Sequence, residues 1–80
     1  MSAASFTNLY GQTVAVDLAN VSMLTKGTNS KSAYVHYTAG GGTFVVGSMA
    51  TTNAALVAAS TAKAATEHYT PQFDDYFTYA

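Results

Sequence analysis

Eighty residues with a mass of 8.3 kDa hold one small domain. Charged residues make up 9% of the chain, against roughly 25% in an ordinary soluble domain, and the net charge is -1. With three Lys, no Arg and no Cys, the chain cannot build a broad basic nucleic-acid face, a thiolate metal site or a disulfide framework, and no stretch approaches the roughly 20 apolar residues that span a bilayer.

The apolar half of the chain is made of small side chains, with fifteen Ala beside nineteen Ser and Thr. A free monomer usually carries a surface that is roughly 25–35% charged. A surface of Thr, Ser, Ala, Asn, Gln and Tyr suits lasting contact with neighbours instead. Small domains without disulfides or metals usually draw stability from association. The Met1–Ser5 start has no basic region leading into an apolar run, so no secretory signal is expected.

Residues 1–11 show no period and end in Gly11; Phe6, Leu9 and Tyr10 are too apolar for a solvated tail and predict a docking arm. Thr13–Leu18 alternates, with Val14, Val16 and Leu18 on one face. After a break at Ala19-Asn20 the alternation resumes over Val21–Thr25, with Val21 and Met23 opposed to Ser22. Lys26–Lys31 is a run of turn formers. Ala33–Thr38 alternates again, Gly40-Gly41-Gly42 makes a sharp turn, and Thr43–Val46 completes a hairpin. Thr51, Thr52 and Asn53 offer N-caps to an Ala-rich helix over Ala54–Thr66. Glu67–Ala80 crowds Tyr69, Phe73, Tyr76, Phe77 and Tyr79 around Pro71, and Asp74-Asp75 argues with it against a long helix.

The expected fold class is α+β: a small antiparallel sheet of about four short strands packed by one Ala-rich helix, with extended N- and C-terminal arms. The N-terminal arm is 1–11, the body 12–66 and the aromatic C-terminal arm 67–80. Val14, Val16, Leu18, Val21, Met23, Leu24, Val35, Tyr37, Phe44, Val46, Leu56 and Val57 are the expected core. Burying each is worth roughly 1.5–3 kcal/mol before ordering entropy is subtracted.

Chemistry is sparse. The Gly40–Gly42 loop leads into a strand rather than a helix and has no Lys at its end, so it reads as a hairpin turn and not a phosphate loop. His36 has Tyr34 and Thr38 two residues away, where a metal site would want a second ligand, and reads as a strand-face polar residue. Glu67-His68 with Asp74-Asp75 could serve a cation or a proton transfer. Their spacing matches no ligand loop, and they read as solvated or interface carboxylates. No Gly-x-Ser-x-Gly elbow is present, and Asn20-Val21-Ser22 matches a glycosylation acceptor by chance. No catalytic residue, cofactor or metal is expected.

Aromatic side chains bury large areas and are enriched at protein contacts, so Phe6, Tyr10, Tyr69, Phe73, Tyr76, Phe77 and Tyr79 are the candidate partner-binding residues. The other reading of the tail is that it folds back over its own sheet.

From Thr13 to Ala59 the Val21-Ser22-Met23-Leu24 segment, the glycine-closed hairpin and Phe44-Val45-Val46-Gly47-Ser48 before a helix resemble the flagellar FlbD-like proteins and the strand–strand–helix part of LytTR-type DNA-binding domains. That resemblance implies a regulatory or nucleic-acid-binding module. A LytTR-type domain contacts phosphates through basic residues, and this chain offers Lys26, Lys31 and Lys63. Over its whole length the chain is similar in style to small bacteriophage virion proteins, with a compact β-rich body, Thr/Ala/Ser-rich composition, no cysteine and terminal arms. This resemblance implies a non-enzymatic capsid decoration or cement protein located in the virion, or otherwise in the cytoplasm. It would bridge protein subunits, the major capsid protein and its own copies among them, with neither nucleic acid nor membrane as partner.

Overall fold

Period-two alternation dominates the chain, and strands account for most of its structure. The computed structural model describes residues 3–29, 31–59, 65–70 and 74–79. Two strands, β1 (Ala4–Thr7) and β2 (Thr13–Val16), form an antiparallel hairpin. Three more follow as β3 (Val21–Lys26), β4 (Ser32–Tyr37) and β5 (Gly42–Val46), then helix α1 (Met49–Ala59), then β6 (Ala65–Thr70) and β7 (Asp74–Tyr79). The main sheet is antiparallel, in the order β5-β4-β3-β7-β6. The fold is α+β, as expected: a small antiparallel sheet packed by one helix.

The two expected arms are parts of this body. Ala4 and Phe6 alternate with Ser5 and Thr7, and this short period pairs residues 4–7 with β2. The turn between them is closed by the Asn8 side chain, whose Oδ1 accepts from the amides of Tyr10 and Gln12 at 2.9 Å each. The C-terminal segment departs further from expectation. It forms a hairpin on either side of Pro71, with β7 inserted beside β3, so that Phe77 pairs with Leu24 and Tyr76 with Thr25. Strand-favouring Tyr, Phe and Thr outweigh Asp74-Asp75 here, and the hairpin supplies the strands that the expected four-strand sheet lacked. Pro71, Phe73 and Lys63 lie outside the described residues.

One face of the sheet carries the core. Val21, Leu24, Ala33, Val35 and Val45 are buried against Ala4 and Val16 of the hairpin, Leu18, Leu56 of α1 and Tyr79. The helix offers Met49, Thr52, Leu56 and Ala59 to this core, a spacing that keeps all four on one side. It starts five residues before the expected Ala54, because Ser48 is the cap: its Oγ accepts from the Thr51 amide at 3.1 Å. Residues 65 and 66, expected in the helix, belong to β6.

Five expected core residues lie outside it, the half-buried Val14 and Met23 and three exposed ones. Phe44 is 36% exposed, Val46 53% and Val57 36%, while Val45 is fully buried. The β4–β5 register explains Phe44 and Val46, since it sets Val45 opposite Ala33 on the core face and Phe44 opposite Tyr34 on the other. In β3 the pairing slips between Val21 and Met23, and this bulge brings Val21 and Leu24 inward in place of Val21 and Met23. Asp17 ends β2 by accepting from the Ala19 amide at 3.0 Å, starting a short 3-10 turn that carries Leu18 into the core. The glycine turn behaves as expected: Gly40 and Gly41 adopt φ of 103° and 72°, which favour glycine, and Tyr37 and Gly41 close the loop by an amide-to-carbonyl bond of 3.1 Å.

Candidate protein-interaction surface

The face of the sheet opposite α1 and the β1–β2 hairpin carries the most distinctive side-chain set of the molecule. The register lines up Tyr76, Thr25, Tyr34 and Phe44 as a row crossing four strands, from β7 through β3 and β4 to β5. Beside it, Thr78, Met23, His36 and Gly42 form a second row. These side chains are half-buried, and Phe44, at the end of its row, is exposed.

Tyr34 organises the face. Its ring meets Phe44 edge-on at a centroid distance of 4.6 Å and His36 at 4.7 Å. It also lies across Gly42, where a Cβ would come within 2.7 Å of two ring atoms and overlap the Val35 carbonyl oxygen. Glycine there lets the ring lie flat across the outer strand, an arrangement in which an aromatic covers a bare stretch of sheet. His36 is fixed from the other side, its Nε2 2.9 Å from Thr25 Oγ1. Burial lowers the His36 pKa below its ordinary value of 6.5, so the imidazole is neutral at pH 7 and the face carries no charge from it.

Beyond Phe44 the sheet ends at the β5 edge, beside a cleft of about 380 Å³. The β1–β2 turn forms its far wall with Asn8, Leu9 and Tyr10; Leu9 is 46% exposed and Tyr10 89%. An uncharged aromatic face therefore continues round the sheet edge into an apolar-lipped cleft. Among the described residues no group of three His, Cys, Asp or Glu is placed to hold a metal, and no helix is long and apolar enough to cross a membrane.

The sequence-derived candidates divide between this surface and the core. Tyr10 stands at the tip of the first turn and Tyr76 begins the aromatic row. Phe6 and Phe77 pack against the core, and Tyr79 is 8% exposed, its hydroxyl donating to Asn53 Oδ1 at 2.7 Å. Phe6 and Phe77 are half-buried there, and Tyr79 is a buried member of the core. Tyr69 pairs in register with Asp75 on the outer strand, while Phe73 lies outside the described residues. The Glu67, His68, Asp74 and Asp75 positions are spread along both strands of the β6–β7 hairpin, with His68 opposite Tyr76 and Asp74 opposite Thr70. Missed by the sequence reading were Tyr34, Phe44 and Val46 as surface residues. The Tyr34/His36/Thr38 set had been separable by alternation; the parity of Phe44 and Val46 depended on a register that only the tertiary fold fixes.

No family model matches the chain, and neither a curated protein nor a solved structure matches it.

Proposed function

We propose that this chain is a non-enzymatic structural subunit of a larger protein assembly, in the manner of a bacteriophage capsid decoration or cement protein. The observation that carries the reading is the uncharged aromatic row Tyr76–Thr25–Tyr34–Phe44 on the sheet face away from the helix. It belongs to a chain in which only 9% of residues are charged. Aromatic side chains with little rotamer entropy to lose are the usual anchors of protein contacts. The α+β body acts as a rigid plug, and its bare face and first turn, rather than two flexible arms, make the contacts. Contacts repeated over a lattice add up to high avidity from individually modest interfaces. The partners are protein subunits such as a major capsid protein, and no cofactor is involved.

Sedimentation tests the reading. Tagged chain is expressed in its source, and extracts are run on a density gradient. The expected result is migration with large particles, lost in Phe44→Lys and Tyr34→Ala variants that keep the wild-type circular dichroism spectrum. Migration of the wild-type chain only at the top of the gradient would contradict it.

A further inference from the structure

The two edges of the main sheet differ in protection. Edge strands expose unpaired backbone groups, and proteins usually blunt them with charges, proline or a bulge. The β6 edge contains Glu67 and His68. The β5 edge, Gly-Thr-Phe-Val-Val, has no charge and no proline, and its pairing with β4 runs without a register shift.

The direction of its backbone groups follows from the hydrogen bonds at the two ends of the ladder. Gly47 donates to the Lys31 carbonyl at 2.8 Å, and Tyr37 donates to the Gly41 carbonyl at 3.1 Å. Antiparallel strands alternate bonded and non-bonded pairs, so Val45 with Ala33 and Thr43 with Val35 are the bonded pairs between those ends. Gly42, Phe44 and Val46 therefore aim their N–H and C=O groups away from β4. Gly42 and Phe44 line the cleft of about 380 Å³ across which Leu9 and Tyr10 stand, and Val46, beyond it, is 53% exposed.

We infer that β5 is a strand-addition site whose occupant is β5 of a second copy, paired antiparallel about a two-fold axis through Phe44. Self-complementarity selects that occupant. In this register Phe44 faces its own counterpart, and Gly42 faces Val46 of the other chain in both directions. All three outward-directed residues then exchange backbone bonds with outward-directed residues, as an isologous contact requires. The side chains fit as well: Val46 of the second copy comes beside Gly42, against the Tyr34 ring that already covers that glycine, and two Phe44 rings meet side by side on the bare face. A proline would remove one of the outward N–H groups, and a charge would be set without a partner beside the Phe44 and Tyr34 rings. The inference concerns contact between like chains and stands apart from attachment to any larger assembly.

Analytical ultracentrifugation of the purified chain at about 0.1 mM tests it, a concentration at which a micromolar Kd leaves mostly dimer. Val46→Pro removes an outward N–H and no bond to β4, so the sheet is retained while the new pairing is lost. Phe44→Lys places a charge at the two-fold and serves if proline disturbs the strand. The expected result is a wild-type dimer whose Kd rises at least about tenfold in each variant that keeps the wild-type circular dichroism spectrum. A wild-type monomer at this concentration would overturn the inference. So would folded variants that dimerise like the wild type, since the contact would then lie on another surface.

Discussion

Tyr79 donates a 2.7 Å hydrogen bond to Asn53, and through it the last strand of the chain is tied to the helix. Both ends of that bond matter to stability, because Tyr79 is also a core residue. Tyr79→Phe is expected to cost about 1 kcal/mol by loss of the bond. Tyr79→Ala should cost about 3–5 kcal/mol, a large part of the roughly 5–15 kcal/mol that holds a domain together. Deleting 67–80, which would spare an independent body if the segment were an arm, should unfold this one. Urea titration followed by circular dichroism measures all three.

The same residue gives the protein an alkaline limit. Burial raises the Tyr79 pKa above its ordinary value of 10.0, so the folded state keeps the phenol protonated where the unfolded chain ionises. The stabilisation is complete below about pH 10 and declines as the pH rises beyond it. Thermal unfolding should show this loss in the wild type and a smaller one in Tyr79→Phe; equal slopes would refute the assignment.

Adjacent helix residues should respond very differently to truncation. Leu56 is fully buried and Val57 is 36% exposed. Leu56→Ala is expected to cost about 2–5 kcal/mol, and Val57→Ala well under that. Comparable losses would mean that the helix face is misassigned.

Thr52 offers a case where substitution should help. Its Oγ1 is buried with no hydrogen-bond partner among the described residues, which leaves a polar atom desolvated for no return. Thr52→Val keeps the shape and removes that atom, and its midpoint of urea unfolding should equal or exceed that of the wild type. A marked fall would show that the hydroxyl is satisfied in solution.

Much of the fold was legible because alternation survives in short strands: Thr13–Val16, Val21–Lys26, Ser32–Tyr37 and Gly42–Val46 all lie within a residue or two of their expected bounds. The helix was legible by composition but not by position, since Ser48 competes with Thr51, Thr52 and Asn53 as cap and local pattern does not rank them. The fate of the aromatic tail was not legible. A Pro71 between two strand-like runs is equally at home in an extended arm and in a hairpin connection, and pairing with β3 is decided by distant residues such as Leu24. The interaction surface was half visible. Tyr34 and His36 share a face by sequence alone, but the Ser22 bulge and the β4–β5 register decided which face met the helix.

Salt dependence tests the central claim most directly, because the proposed contacts are aromatic and uncharged. The chain bound to the particles with which it sediments is titrated with sodium chloride from about 0.1 M to about 1 M, where the Debye length falls from roughly 10 Å to roughly 3 Å. Apolar contacts persist or tighten under these conditions, whereas neutralised phosphates are released. Attachment undiminished at about 1 M salt is the predicted result. Release at moderate salt would contradict it, and would favour charge contacts through Lys26 and Lys31 of the kind a nucleic-acid-binding module makes.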